Sequence, residues 1–81
     1  MVSDKTNHWN YRVMQHYDLE FKENYFEIHE VYYNDVEEVI NWGEESSSPF
    51  GEDLDSLKSA MKMMSDAFNK PVLDYETGKE I

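Results

Sequence analysis

The sequence predicts an α+β fold, a three-stranded antiparallel meander with one amphipathic helix packed on one face (β-β-β-α). Three observations lead there. Two early stretches, "HWNYRVMQHY" from residue 8 and "YFEIHEVYY" from residue 25, alternate along the chain with the period of a strand. A later stretch sets Leu54, Leu57, Met61, Met64 and Phe68 at three- and four-residue steps, the period of a helix. The chain has 81 residues, enough for one domain and one core.

Taken in order, residues 1–7 are polar and predict a flexible N-terminal arm, and residues 8–75 form the single domain. In the first strand Trp9, Tyr11 and Val13 share one face, and Asn10, Arg12, Met14 and His16 the other. After the polar turn "DLEFKEN", the second strand sets Phe26, Ile28 and Tyr32 on one face and Tyr25, Glu27, His29, Val31 and Tyr33 on the other. Burying Glu27 and His29 unpaired is costly, so the Phe26/Ile28 face is expected to meet the core and the opposite face to stay open for solvent or a partner. A turn over Asn34, Asp35, Val36 and Glu37 leads to a third strand, "EVINW". The loop "GEESSSPFGED" carries turn residues and ends on Asp53, a suitable helix N-cap, with Asp55 in the first turn. Pro71 stops the helix, "PVLDY" can return as a short fourth strand at an edge, and residues 76–81 are expected to fray.

Charge bounds the function. The chain has 18 acids, 7 Lys or Arg residues and a formal net charge of −11. Between Asp18 and Asp55 stand thirteen acids and one basic residue, Lys22. Such a field argues against direct contact with nucleic acid or an anionic membrane and favours a protein partner with a basic surface. Hydrophobic residues make up 40% of the chain, too many for a disordered one. There is no cysteine, hence no disulfide framework and no thiolate. The N-terminal residues lack a signal-peptide core and no apolar run is long enough to span a bilayer, so a cytoplasmic location is expected.

The series "WNYRVM", "IHEVYY", a tryptophan about ten residues on, "PFGEDLDSL" and "NKPVLDY" resembles a largely uncharacterised family of short bacterial and phage proteins across residues 9–75. That family carries an Asp-Gly type turn where this chain reads "NDVE". The strand order and the helix opening "GEDLDSLKSAM" are also similar, more loosely, to HicB-like antitoxins, whose partial RNase H-like fold neutralises a small basic ribonuclease. The second resemblance implies a similar architecture and by itself says nothing of function.

Catalysis is not expected. The serines of "SSSP" lack the strand-turn-helix setting of a nucleophile, and the three histidines have no evident triad partners. No spacing amounts to a metal signature and no cofactor or metal is assigned, although Glu27 and His29 share a strand face and His16 could join them from the neighbouring strand. Arg12 is expected to pair across the hairpin with Glu27 or His29. The residues that best fit partner binding are Tyr25, Val31 and Tyr33 on the open face and Glu37, Glu38, Glu44 and Glu45 around the third strand. Together these predict a small acidic, non-enzymatic protein-binding domain, a phage-type or antitoxin-like inhibitor. The alternatives are a homodimer joined through the open sheet face, and a metal- or small-ligand-binding domain using His16, Glu27 and His29.

Overall fold

The computed structural model describes residues 5–81. Two long strands, β1 (His8–Asp18) and β2 (Glu23–Tyr33), are followed by a short β3 (Val39–Trp42) and by helix α1 (Leu54–Ser65). The helix tightens into a 3-10 turn at Asp66–Asn69, and a two-residue strand, β4 (Leu73–Asp74), comes last. The class is α+β, with a four-stranded sheet in the order β3-β2-β1-β4. The first three strands pair antiparallel, while β4 lies parallel to β1, Met14 opposite Leu73, which makes the sheet mixed.

Side-chain oxygens shape both hairpin turns. Asp18 Oδ1 accepts from the backbone N–H groups of Glu20 and Phe21, and Lys22 takes a left-handed φ of 54° that closes the first turn. Asn34 Oδ1 accepts from Val36 N and Glu38 N in the second, and Glu37 adopts φ 64°, a conformation that glycine takes without penalty. At the helix start Asp53 Oδ1 accepts from Ser56 N at 2.7 Å, capping α1 at the expected residue.

The register sets His8, Asn10, Arg12, Met14 and His16 across from Tyr33, Val31, His29, Glu27 and Tyr25, so the residues sharing each face are those that the alternation implies. Which face carries the core is the reverse of expectation. Met14, Val31, Tyr33 and Leu73 form the buried cluster, with Val39, Trp42 and Tyr75 against it. The helix covers the other face only in part: Met64 and Ala67 are buried beside Val13, but Leu54, Met61 and Phe68 stay exposed, Phe68 by 72%.

The roof over the supposedly open face is the C-terminal segment. Tyr75 N donates to Gln15 O, Asp74 N to Lys79 O, Gly78 N to Asp74 O and Ile81 N to Val72 O, so residues 76–81, expected to fray, return as a hydrogen-bonded hairpin. Gly78 lies against the Trp42 ring, and the Tyr75 hydroxyl donates to Glu44 O at 3.3 Å. The sheet therefore curls until the hairpin beside β1 reaches β3. Of the arm proposed for residues 1–7, residues 1–4 lie outside the described part, and Asn7 N donates to Tyr33 O. Among the described residues no helix is long and apolar enough to cross a membrane.

Candidate functional site

Two places on this scaffold gather chemistry. The first is a groove of about 360 Å³ between α1 and the outer edge of β2, with Glu27, Ile28, Pro49, Met61, Met64 and Phe68 among its walls. It exists because the chain after β3 does not turn away. Gly43 N donates to Glu30 O and Ser47 N to Ile28 O, which lays residues 43–47 along β2 and holds the following loop opposite the helix. Gly51 permits that loop to cross α1 closely, since a Cβ there would stand 2.3 Å from Leu57 N. Phe26 borders the groove beside Ile28 and Phe68, and Phe26, Phe50 and Leu54 are all more than half exposed.

The acids divide into two groups. Glu44 and Glu45 are exposed and directly precede Ser46, Ser47 and Pro49, which line the groove. Glu37 and Glu38 sit in the β2–β3 turn, six or more residues farther along the chain from Ile28, where Glu37 meets His8 Nε2 at 2.8 Å and Glu38 accepts from Asn34 Nδ2. Glu37 pairs with His8 and Glu27 with His16, and with 18 acids against 7 Lys or Arg residues the chain keeps a formal net charge of −11.

The expected sheet-face contacts require correction. Val31 is fully buried and Tyr33 is 5% exposed; the Tyr33 hydroxyl donates to Asn10 Oδ1 and accepts from Arg12 Nη1. Neither side chain can meet a partner while the C-terminal hairpin is in place. Tyr25 is half-exposed but lies stacked on His16, ring centroids 4.7 Å apart. Arg12 forms no ion pair with Glu27. It is buried opposite His29, donates to Tyr33 Oη and Pro71 O, and keeps Nε without a partner.

The second place is a cluster of His16, Glu27 and His29 on the roofed face. Glu27 stands opposite Met14, one rung from His16 and one from His29, so the two imidazoles lean over it from opposite directions. Their Nε2 atoms are 2.8 Å apart, and His16 Nε2 is 3.4 Å from Glu27 Oε1. His29 is fully buried, and its Nδ1 is 3.0 Å from Gly43 O, a carbonyl that can only accept, so in the neutral ring Nδ1 carries the proton and Nε2 presents a lone pair. Burial lowers the His16 pKa, as does the neighbouring His29, while the Glu27 and Glu76 carboxylates act in the opposite sense. The Tyr75 ring stacks over His16 at 4.2 Å.

The groove residues Met61, Met64 and Phe68 were legible as apolar but not as a site, because helical spacing does not distinguish a stripe against a sheet from one beside a groove. No protein-family model, no curated protein and no solved structure matches the chain.

Proposed function

We propose that this chain is a non-enzymatic protein-binding domain of the inhibitor or antitoxin type, which takes a basic amphipathic segment of its partner into the groove between α1 and β2. The observation that carries the reading is an apolar groove walled by Ser46, Ser47 and Pro49, with the exposed Glu44 and Glu45 just before them in the chain, in a protein of formal net charge −11. Apolar side chains seated against Met61, Phe68 and Phe26 would supply affinity, at about 1.5–3 kcal/mol for each large side chain fully buried. Lysines or arginines flanking them would meet the acids, raising the association rate and excluding acidic competitors. Glu37 and Glu38 act only through the long-range field in this arrangement.

A second copy of the same chain is the less favoured occupant. It would bring the same apolar patch but another −11 of charge, and like fields oppose association.

The test is a calorimetric titration with lysine-rich amphipathic helical peptides of about fifteen residues, roughly four turns, against scrambled peptides of equal composition. Saturable one-to-one binding by the amphipathic peptide, weakened by Phe68→Ser or Met61→Ser and by added salt, supports the reading. Equal binding of the scrambled peptide would leave only non-specific charge attraction. A doubled mass by light scattering in the absence of peptide, abolished by Phe68→Ser, would assign the patch to self-association.

A further inference from the structure

We propose that His16, Glu27 and His29 form a binding site for one divalent transition-metal cation of the zinc class. The ligand atoms of the three residues lie within 4.8 Å of one another, supplied by two paired strands whose register is fixed by the whole length of the hairpin. Two imidazoles and one carboxylate are a borderline donor set, suited to zinc and its first-row neighbours rather than to magnesium or calcium, which require oxygen.

The geometry lies close to a coordination sphere. Bonds of about 2.0–2.2 Å at tetrahedral angles place ligand atoms about 3.4 Å apart. The Glu27–His16 separation already has that value, and the 2.8 Å between the two Nε2 atoms needs to widen by about half an ångström. The Glu27–His29 pair, which sets the 4.8 Å spread, needs to close by rather more, through a rotation of the partly exposed Glu27 side chain. The outer shell is also present. Gly43 O holds the His29 Nδ1 proton, so Nε2 is left as the ligating atom, which is the orientation that second-shell acceptors impose on metal-bound histidine. Without a cation the two nitrogens share one N–H, that of His16, and ligation through His16 Nε2 would require the tautomer with that proton on Nδ1. The Glu27 side is the open one, because that side chain is 36% exposed against 10% for His16. A water completes the fourth position there, with the charge of Glu76 felt nearby at His16. The site shares Glu27 with the groove wall, whereas His16 and His29 are not among the groove's lining residues.

The experiment uses the full chain, stripped with a chelator, titrated with zinc chloride by calorimetry and with cobalt(II) by visible absorption. The expected result is one cation per chain, the intense visible bands of four-coordinate cobalt, a raised melting temperature and no competition from excess magnesium. His16→Gln and Glu27→Gln are partly exposed positions, and both variants are expected to fold, with zinc affinity falling at least about 100-fold for His16→Gln and about tenfold for Glu27→Gln. No saturable heat, weak six-coordinate cobalt bands, magnesium competition or equal affinity in wild type and both variants overturns the proposal. Those outcomes would leave a proton-sharing histidine pair and diffuse binding by surface acids. Peptide binding that survives chelation separates failure here from failure of the groove.

Discussion

Replacing Gly78 by alanine tests whether the C-terminal hairpin closes the sheet. Gly78 has φ +73°, and a Cβ there would stand 2.3 Å from Trp42 Cζ3 and 2.8 Å from Cη2. The left-handed backbone costs an alanine about 1–2 kcal/mol. Relieving the contact requires the Trp42 ring or the hairpin to move, and overpacking of this kind costs about 1–3 kcal/mol. Gly78→Ala should therefore lose about 2–5 kcal/mol, a large share of the roughly 4–12 kcal/mol expected for a chain of this length. Urea unfolding followed by tryptophan fluorescence and by circular dichroism measures it, since Trp42 is the less exposed of the two tryptophans. If only the hairpin detaches, the fluorescence transition should precede the dichroism transition; if folding is two-state, both midpoints should fall together. A Gly78→Ala protein with the wild-type midpoint by both probes would refute the closure.

Further expectations concern the core, the second turn and the cap. Met14→Ala should destabilise by about 2–5 kcal/mol because its side chain is fully buried, whereas Phe68→Ala should cost under about 1 kcal/mol because it is mostly exposed; parallel melts with equal losses would contradict this division. Glu37→Gly should stabilise by up to about 1 kcal/mol by relieving the left-handed φ, less the small contribution of the exposed His8 contact, and an unfolding midpoint below wild type would show the turn is not strained. The backbone N–H of Ser56, and secondarily its side chain, hold the Asp53 carboxyl below the usual carboxylate range. Because the folded value is depressed, the cap's contribution is complete above the ordinary unfolded value and is lost as pH falls through the folded one. Asp53→Ala should accordingly reduce helical dichroism at neutral pH and converge with wild type in strong acid; a constant gap at every pH would remove Asp53 from the cap.

Much of the local structure was legible because it follows from short-range rules. Strand alternation grouped Met14 with His16, and Val31 with Tyr33, while Asp53 marked the helix start through its own side chain. The choice of core face failed on His29. An unpaired histidine would be expensive to bury, and nothing near it in sequence supplies a partner, yet Gly43 O and His16 Nε2 satisfy both ring nitrogens from other strands. The roof was equally invisible, because β4 has only two residues and closure rests on contacts far apart in the chain, Gly78 and Tyr75 with Trp42 and the Tyr75 hydroxyl with Glu44 O. That misassignment placed the expected contact surface on Val31 and Tyr33, which are core residues, while Phe26, Met61 and Phe68 stay exposed. Of the candidate metal ligands, the shared face of Glu27 and His29 was readable, whereas the approach of His16 depended on hairpin register, which periodicity leaves open.

The binding reading is tested most directly by following backbone amide resonances of the labelled protein while the lysine-rich amphipathic peptide is added. The account predicts that the largest shifts gather at Glu27 and Ile28, along residues 44–50 and on α1 through Phe68, with the Asn34–Glu38 turn and the C-terminal hairpin little changed. Shifts centred on that turn or on the hairpin, or no saturable shifts at all, would contradict it.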